Sequence, residues 1–490
     1  MTRYLDKILQ SVKGCKAIGD TNRQLANLVF DSRKAGEGDL FVAVKGVHTD
    51  GHQFINQVAE KRVAAIICEK MPENARPDVT FIIVKNSAIA LGQAASAWYD
   101  HPSHKLKVIG ITGTNGKTST VFLLYHLFKE LGFTTGLLST IENRIGGEIL
   151  VSTHTTADAL QINQNLTKMA EAGCEYCFME LSSHAIDQDR IAGLKIRGAI
   201  FSNITHDHLD YHLTFENYIK AKKKLFDELQ PDAFSLVNTD DRNGLVMLQN
   251  CAARRYTYSL KTISDFKAKI IENRFDGLLM NIDNREVWCR LVGTFNAYNL
   301  LAVYSVARIE GFSQDEILPA LSRLQPVEGR FQVIQPETGI TAIVDYAHTP
   351  DALKNVLQTI NEVRPGNENL ITIIGAGGDR DRLKRPLLAN IACQLSDRVI
   401  LTSDNPRTEN PEDILADMEA GLDIIQKKKT IKITDRREAI KTAVMISLKG
   451  DIILIAGKGH ETYQEVNGVK THFDDREIVN EYLNNTNLNN

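Results

Sequence analysis

A chain of 490 residues is too long for one hydrophobic core, so its length predicts two to four domains. A hydrophobic content of 43%, a charged content of 24% and a net charge of −4 are those of a soluble globular protein, and they favour neither nucleic acid nor an anionic membrane as a partner. No apolar run is long enough to span a bilayer, and the amino terminus lacks the apolar segment of a signal peptide. Seven scattered cysteines, an odd number, indicate reduced thiols. We therefore expect a cytoplasmic protein with no membrane insertion.

Short strands alternate with helical stretches in the first hundred residues, where the strand-like runs are FVAVKG, VAAIICE and TFIIVK. The same alternation continues through the middle of the chain and restarts after residue 330. We place domain boundaries near His104 and Gly329, which gives domains over 1–104, 105–329 and 330–490. The fold class predicted from this alternation is α/β, with three domains.

The run VIGITGTNGKTST, residues 108–120, predicts a phosphate-binding loop. An apolar strand enters a glycine-rich turn that opens into a helix, so backbone N–H groups, the helix dipole and the Lys117 ammonium would converge on phosphate. Thr118 supplies the hydroxyl that such loops offer to Mg²⁺. The glycines stand at Gly110, Gly113 and Gly116, which makes this an unusual subtype of the motif.

Two later strands of the middle region end in polar residues. The first ends MELSSH, where Glu180 is a candidate to share Mg²⁺ with Thr118, although a turn that caps a helix is an equal reading. The second ends SNITHDHLDYH, with three histidines and two aspartates within seven positions. That density favours a ligand site, and a polar loop of hydrogen-bonded histidines is the alternative. Residues 238–290 predict a small β-rich segment, and 293–311 and 313–324 predict helices.

Four buried parallel strands are predicted in the last third: TAIVDYAHT, NLITIIGAGG, DRVILTSD and GDIILIAGKGH. Functional loops are expected at their carboxyl ends. The residues that meet there, called the rim below, are Arg385, Asn405, Arg407 and Glu461. Guanidinium groups pair with carboxylates and a lone glutamate pairs with an ammonium, so the rim suits a zwitterion with more than one carboxylate. A surface network of salt bridges is the alternative. The run GAGGDRD has Arg380 where a dinucleotide-binding motif needs glycine, so it does not predict dinucleotide binding.

Nine motifs occur in order over almost the whole chain: GITGTNGKTS, MELSSHAID, SNITHDHLDYH, GTFNAYNLLA, VEGRF, VDYAHTPDAL, GAGGDRDRLKRP, SDNPRTENP and IAGKGHETYQ. As an ordered set they resemble the Mur ligase family. The resemblance implies an amino-terminal UDP-binding domain, a central ATP-binding domain and a carboxy-terminal Rossmann-like domain. It also implies an ADP-forming ligase that uses ATP and Mg²⁺ to make peptidoglycan precursors, and so serves cell wall biogenesis, cell shape and cell division.

The resemblance also implies roles for individual residues. Those implied to bind ATP are Gly113, Thr114, Asn115, Gly116, Lys117, Thr118, Ser119, Asn296, Asn299, Arg330 and Asp345. Those implied to bind the UDP substrate are Ser32, Thr155, Thr156, Ser182, Gln188 and Arg190. The implied metal ligands are Thr118, Glu180, His208 and Lys222, and the implied catalytic residues are Lys117, Lys222, His208 and Arg330. By itself KAKKKLF indicates a solvated basic helix face, but its match to the family places a carbamylated lysine at Lys222.

The residues implied to bind the amino-acid acceptor are Arg385, Asp404, Asn405, Pro406, Arg407, Gly457 and Glu461. The motif D-N-P-R is typical of relatives that add meso-2,6-diaminopimelate, whereas lysine-adding relatives lack its arginine. The implied reaction joins this amino acid to UDP-N-acetylmuramoyl-L-alanyl-D-glutamate through an acyl phosphate, in a monomer. The alternatives are an L-lysine acceptor, a folate polyglutamate ligase and, from another class, a phosphate-loop ATPase switch that acts on a protein partner.

Overall fold

A computed structural model describes residues 3–46, 49–151, 155–205, 207, 209–336 and 339–486. The chain forms two compact units. The first unit comprises Met1–Gly113, Leu124–Ile204 and His208–Thr257, and the second comprises Thr114–Leu123, Thr205–Asp207 and Tyr258–Asn490. Each unit is described by itself. The boundaries expected near His104 and Gly329 remain predictions.

The first unit opens with a small α/β sheet. Its elements are β1 (Arg3–Tyr4), α1 (Leu5–Leu9), β2 (Lys16–Ile18), β3 (Gln24–Leu25), β4 (Leu28–Val29), β5 (Leu40–Val42), α2 (Ile55–Glu60), β6 (Ala65–Cys68), β7 (Thr80–Ile83) and α3 (Ser87–Trp98). The sheet order is β2-β7-β6-β5-β4, and β4 to β7 run parallel. β5, β6 and β7 confirm the three predicted strands. α3 begins after Asn86 because that side chain accepts hydrogen bonds from the amides of Ala88 and Ile89.

A second, larger sheet follows in the chain. Its elements are β8 (Lys107–Thr112), α4 (Lys117–Glu130), β9 (Thr135–Leu138), β10 (Glu142–Ile145), β11 (Glu148–Val151), α5 (Ala159–Glu171), β12 (Tyr176–Glu180), α6 (Ser183–Asp187), β13 (Ile196–Phe201), α7 (Leu209–His212), α8 (Phe215–Asp227), β14 (Phe234–Asn238), α9 (Gly244–Leu248) and β15 (Arg254–Ser259). Parallel strands stand in the order β9-β12-β8-β13-β14. β9 and β12 lie on one side of β8, and β13 and β14 lie on the other, so the strand order reverses at β8. Ligands of open α/β sheets bind at such a reversal, beyond the carboxyl ends of the strands.

The second unit contains residues 258–290 of the predicted β-rich segment and two helices after it, whereas residues 238–257 of that segment lie in the first unit and include the helix α9. The elements are β16 (Phe266–Arg274), β17 (Gly277–Ile282), β18 (Arg285–Cys289), α10 (Thr294–Ile309) and α11 (Gln314–Arg323). The three strands form an antiparallel meander. α11 begins at a capping box in which Ser313 and Glu316 each accept a hydrogen bond from the other's backbone. Both predicted helices are therefore present.

The last third of the chain forms a mainly parallel sheet in the second unit. Its elements are β19 (Gln332–Ile334), β20 (Thr341–Asp345), α12 (Pro350–Val363), β21 (Leu370–Ala376), α13 (Lys384–Leu395), β22 (Arg398–Ser403), α14 (Pro411–Glu419), α15 (Ile424–Lys428), β23 (Thr430–Lys432), α16 (Arg436–Ile446), β24 (Ile452–Ala456), β25 (Tyr463–Val466), β26 (Val469–His472) and α17 (Asp475–Thr486). The order is β19-β20-β24-β21-β22-β23. β20, β21, β22 and β24 confirm the four predicted strands, and the α/β class is confirmed. None of the helices in the described ranges has the length and apolar character needed to cross a membrane.

A buried ion pair ties two helices of this sheet to the end of β24. Arg436 of α16 donates from Nε and Nη2 to the carboxylate of Asp475 of α17, at 2.8 and 2.7 Å, and both side chains are fully buried. The same guanidinium donates to the carbonyl of Ala456, at 2.9 Å. Because two charges out of water are tolerated only when they are paired and hydrogen-bonded, this pair fixes how both helices meet the sheet.

We expect Asp475→Ala to destabilise the protein by about 3 to 5 kcal/mol, since it leaves a buried guanidinium without its counter-charge. The matched control is Glu481→Ala, which breaks the exposed pair between Arg437 and Glu481 on the same two helices. That change should cost less than about 0.5 kcal/mol. Urea unfolding followed by circular dichroism measures both, and equal shifts of the two midpoints would contradict the importance of the buried pair.

Candidate active site

The phosphate loop joins β8 to α4, as the sequence predicts. Two of its glycines have backbone conformations that favour glycine, Gly113 with φ 155° and Gly116 with φ 87°. A Cβ at Gly113 would lie 2.0 Å from Ser202 Oγ, and one at Gly116 would lie 2.6 Å from Asn299 Oδ1. No side chain fits in either place. The loop therefore presents bare backbone ahead of a helix amino terminus, which is the arrangement that binds phosphate.

Side chains that follow the loop are ordered by contacts within the second unit. Lys117 Nζ donates to the carbonyl of Thr114, at 2.9 Å. Thr118 Oγ1 lies 3.3 Å from Arg330 Nη2, so this hydroxyl accepts from a guanidinium. Ser119 follows in the first turn of α4. Lysine, hydroxyl and guanidinium converge here, and these are the groups that stabilise charge on a transferring phosphoryl group.

Two asparagines of α10 complete this part of the second unit. Asn299 Nδ2 donates to Asn296 Oδ1 at 3.1 Å, and Asn296 Nδ2 donates to the carbonyl of Val292 at 2.9 Å. Thr120 Oγ1, in α4, lies 3.3 Å from Asn299 Oδ1. Both asparagines are buried. Their link to α4 places these two residues, which the family resemblance implies to bind ATP, beside the helix that follows the phosphate loop.

Asp345 supports the segment that carries Arg330. It ends β20, and its carboxylate accepts hydrogen bonds from the amides of Phe331, at 2.6 Å, and Ala347, at 2.7 Å. Burial raises the pKa of Asp345, and nearby Arg330 opposes that rise. The Arg330 guanidinium also lies over the ring of Tyr346, at 4.5 Å from its centroid. The hydrogen bonds of Asp345 therefore hold the backbone next to Arg330 in place.

Sequence reasoning missed Asp351 in the first turn of α12. Its Oδ2 accepts from Asn115 Nδ2 at 3.1 Å and from Thr205 Oγ1 at 2.9 Å. Thr205 in turn donates its backbone N–H to Thr114 Oγ1, at 3.0 Å. Asp351 thus holds the phosphate loop through a side chain that comes from far along the chain. The only local signal was an aspartate at the helix start in TPDAL, which ordinarily indicates capping.

Lys222 differs from its neighbours in the basic run of α8. Its side chain is 1% exposed, and Nζ donates to the carbonyl of Gly113 at 2.8 Å in the first unit. Lys220 is exposed and pairs with Glu216. Lys223 and Lys224 are partly buried and also pair with carboxylates, so they are not the solvent-facing residues that the sequence suggested. The reading of the run as one solvated face is therefore wrong at Lys222.

Glu180 ends β12 in a buried position. Its carboxylate accepts from the amide of Thr140 at 2.8 Å and from the Thr140 hydroxyl at 3.2 Å. Because both donors are neutral, the oxygens of this buried carboxylate are still suited to bind a cation. His206 and His208, the remaining histidine candidates of the following strand end, lie outside the described residues. His212 is described, and its Nε2 lies 2.9 Å from Ser183 Oγ.

Four predicted substrate residues come together in the first unit. Thr156 Oγ1 donates to the carbonyl of Glu180 at 2.8 Å and accepts from the amide of Ser182 at 3.0 Å. Arg190 donates to the carbonyl of Thr156 at 2.8 Å and to Gln188 Oε1 at 2.7 Å. Thr155 precedes this network, while Ser32 lies in a turn between β4 and β5, where its carbonyl accepts from Lys61 at 2.8 Å.

Tyr211 is a second residue that sequence reasoning missed. Its hydroxyl accepts from Gln188 Nε2 at 3.1 Å and donates to Asp187 Oδ2 at 2.8 Å. Its ring packs against His184, with centroids 4.2 Å apart. Burial raises the pKa of Tyr211, so it stays a neutral donor. The sequence showed it only as a tyrosine within the histidine-rich strand end.

At the rim of the second unit, the loops after β22 and β24 interlock. Asn405 Nδ2 donates to Glu461 Oε2 at 2.8 Å, and Lys458 Nζ lies 3.1 Å from Asn405 Oδ1. Gly457 has φ 113°, and a Cβ there would lie 2.8 Å from Asp404 Oδ2. The structure thus places together Asp404, Asn405, Gly457 and Glu461, and it adds Lys458, which the sequence analysis did not select.

The two predicted rim arginines differ in their surroundings. Arg407, at φ 52°, donates from Nη1 to the carbonyl of Gly378 at 2.7 Å and lies 3.9 Å from Glu465, and its side chain is 22% exposed. A Cβ on Gly378 would lie 1.9 Å from the carbonyl oxygen of Pro406, so this approach requires glycine. Arg407 therefore retains contact with solvent at the rim.

Arg385 is buried and engaged by internal carboxylates. Its Nη1 lies 2.8 Å from Asp417 Oδ2, and its Nη2 lies 2.7 Å from Glu409 Oε1. Hydrogen bonds from Arg385 lower the pKa of Glu409 to about 2. The guanidinium that the sequence assigned to a substrate carboxylate is thus neutralised inside the fold. Its role in acceptor binding stays a prediction.

The chain matches three family descriptions: "Mur ligase family, catalytic domain" over residues 24–99, "Mur ligase middle domain" over 111–307 and "Mur ligase, glutamate ligase domain" over 329–459. It is similar to two proteins named UDP-N-acetylmuramoyl-L-alanyl-D-glutamate--2,6-diaminopimelate ligase. The one from Cytophaga hutchinsonii is 56% identical, over 95% of this chain and 96% of the relative. The one from Parabacteroides distasonis is 54% identical, over 97% and 98%.

A solved structure of a protein with the same printed name is also similar to this chain. It superposes with a TM-score of 0.71 at 33% sequence identity, covering 99% of this chain and 100% of that one. The similarity therefore extends over the whole length of both chains.

We expect Gly113→Ala to weaken ATP binding at least about tenfold, or about 1.4 kcal/mol, because the new Cβ would collide with Ser202. The matched control is Gly132→Ala at the other end of α4, where φ is 94° and no atom lies within 4 Å. Both substitutions incur a backbone cost of about 1 to 2 kcal/mol, but only the first alters the loop. Isothermal titration with Mg²⁺–ATP measures the difference, and equal affinities in the two variants would contradict the prediction.

Proposed function

Because the chain belongs to the Mur ligase family, we propose that it is the ATP-dependent ligase that adds meso-2,6-diaminopimelate to UDP-N-acetylmuramoyl-L-alanyl-D-glutamate. The observation that carries the proposal is the identity of 50 to 56% over nearly the full chain to relatives with that printed name. The product is a peptidoglycan precursor. The enzyme acts in the cytoplasm as a monomer.

The rim supports an acceptor that is both an amine and a carboxylic acid. Arg407 offers a guanidinium that reaches solvent, and guanidinium groups bind carboxylates through parallel hydrogen bonds. Asp404 and Glu461 offer carboxylates, which attract an ammonium. Diaminopimelate carries an amino and a carboxylate group at each end. L-Lysine lacks the second carboxylate that Arg407 would bind.

The reaction proceeds in two steps. An oxygen of the D-glutamyl γ-carboxylate attacks the γ-phosphorus of ATP, the bond from this phosphorus to the bridging oxygen breaks, and ADP leaves with that electron pair. The neutral amine of the acceptor then attacks the carbonyl carbon of the acyl phosphate. Collapse of the tetrahedral intermediate expels phosphate, and the amine proton passes to a base, for which His348 and the departing phosphate are candidates. The chain supplies positioning and charge rather than a nucleophile.

Lys117 and Arg330 provide positive charge for the first step. Both belong to the second unit, where Lys117 follows the phosphate loop and Arg330 contacts Thr118. Positive groups near a transferring phosphoryl group stabilise the negative charge that its oxygens share. Asp345 fixes the backbone of the Arg330 segment, so its contribution is positional.

Mg²⁺ would be held by Thr118, Glu180, His208 and the carbamate of Lys222. The Thr118 hydroxyl and the Glu180 carboxylate are oxygen donors of the kind that this ion prefers. Within the described ranges no three His, Cys, Asp or Glu residues form a cluster able to hold a metal. When bound, Mg²⁺ neutralises charge on the phosphates.

Burial supports Lys222 as the carbamylated residue. An ammonium in this place is shielded from water, and its contacts include the Gly113 carbonyl at 2.8 Å and the Tyr218 ring at 4.5 Å. Reaction of the neutral amine with CO₂ forms an N–C bond and releases a proton, and the group becomes an anionic oxygen donor. This converts a buried cation beside the phosphate loop into a ligand for a cation.

Phosphate release in the presence of ATP, Mg²⁺ and UDP-N-acetylmuramoyl-L-alanyl-D-glutamate tests the function, with meso-diaminopimelate, L-lysine or no acceptor in parallel. We expect release to require meso-diaminopimelate. Arg407→Ala should raise KM for this acceptor at least about tenfold, because it removes a charged hydrogen bond of about 1.5 to 3 kcal/mol. Arg398→Ala, at the exposed opposite end of β22, is the control and should change little. Release without any acceptor would contradict the ligase and favour the ATPase switch.

The carbamate predicts a dependence on dissolved CO₂. Degassed enzyme should lose most of its activity and regain it with bicarbonate, whereas Lys222→Arg should be inactive in both conditions because its guanidinium forms no carbamate. Lys220→Arg, in the exposed pair with Glu216, is the control and should respond to bicarbonate like the unmodified enzyme. Full activity of Lys222→Arg would refute the assignment.

A further inference from the structure

Lys458 is a fully buried lysine at the carboxyl end of β24, between the two glycines of GKGH. Its Nζ lies 3.1 Å from Asn405 Oδ1, 3.3 Å from Glu461 Oε2 and 3.8 Å from Asp404 Oδ1. We propose that Lys458 is a positioning residue that sets the charge and the orientation of the acceptor-binding groups. The inference rests on the proposed function, because it assigns a role in binding the amino acid that the ligase adds.

The surroundings of Lys458 explain why a buried ammonium is tolerated. A cation removed from water needs opposite charge and hydrogen-bond acceptors around it, and here two carboxylates and an amide oxygen provide them. Nζ also lies over the face of the Tyr463 ring, 5.5 Å from its centroid, and this face attracts a cation. Lys458 is thus the internal counter-ion of the acidic residues at the rim.

Lys458 also determines which way the Asn405 amide points. Asn405 Oδ1 accepts from Lys458 Nζ and from the amide of Glu465, at 2.9 Å. With its oxygen occupied by two donors, the amide must turn its nitrogen toward Glu461, to which it donates at 2.8 Å. The carboxylate of Glu461 is therefore held on one oxygen by Asn405 and Lys458 together.

The charge count leaves this cluster with one negative charge. Asp404 and Glu461 contribute two negative charges and Lys458 contributes one positive charge. One remaining negative charge matches one ammonium group of an amino acid, while Arg407 serves a carboxylate of the same molecule. Lys458 thereby tunes the site to a zwitterion, and without it two carboxylates would repel each other and trap other cations.

The test replaces the ammonium by an uncharged chain of similar length, Lys458→Met. KM for meso-diaminopimelate should rise at least about tenfold, or about 1.4 kcal/mol, while kcat falls by less than about threefold and the KM values of ATP and the UDP-dipeptide stay within about twofold. The matched control is Lys470→Met. Lys470 lies over the same Tyr463 ring, at 4.0 Å, but it is exposed and lacks the acidic contacts, so all constants should persist.

A double-mutant cycle separates positioning from general damage to the fold. If Lys458 acts through Glu461, the combined variant Lys458→Met/Glu461→Gln should have an acceptor KM no higher than Glu461→Gln alone. The combined variant also removes the charge of one carboxylate that Lys458→Met leaves without its counter-ion, so we expect it to fold even if Lys458→Met alone does not. Titration with Mg²⁺–ATP identifies folded protein in every case.

Three results would overturn the inference. An unchanged acceptor KM in folded Lys458→Met would do so, as would an equal rise in KM for all three substrates or additive effects in the cycle. Failure of the unsubstituted enzyme to use meso-diaminopimelate would instead overturn the proposed function, and this inference with it.

Discussion

Compensation of buried charge is the constraint on which the carboxyl edge of the second unit's sheet depends. Arg385, Arg436 and Lys458 are all nearly inaccessible to water, and each is surrounded by carboxylates or carbonyls of neighbouring helices, strands or loops. A buried cation is tolerated only when such partners are in place. Ion pairs and hydrogen bonds therefore help to position the loops after β21, β22 and β24, where the predicted rim residues lie.

The phosphate loop depends on a different constraint, close backbone approach. Gly113 and Gly116 bring the loop against Ser202 and Asn299 at distances that no Cβ permits. Asp351 and Arg330 then reach Asn115 and Thr118 within the second unit. Short distances of this kind pre-orient backbone donors, so little ordering remains to be done when a phosphate binds.

Several residues proposed to contact substrates are held in position by other, buried residues. Asp345 accepts from two backbone amides around Arg330, while Lys458 donates to Asn405 and Glu461 at the rim. Glu409 neutralises Arg385 in the same manner. The chemistry of the ligase is thus carried by few side chains, each supported by a buried partner of opposite charge or hydrogen-bonding character.

The sequence by itself determined the α/β class, many of the parallel strands, the phosphate loop and the family, because apolar periodicity, glycine spacing and ordered motifs are local properties. It also indicated most of the residues that meet at the rim. Only the tertiary structure decided that Lys222 is buried while Lys220 is exposed and that Arg385 is neutralised by Glu409 and Asp417. It also decided that Asp351 contacts Asn115, that Tyr211 contacts Asp187 and that Lys458 contacts Asn405. These facts depend on pairs of residues distant in the chain, and burial and charge compensation arise only where the fold brings such pairs together.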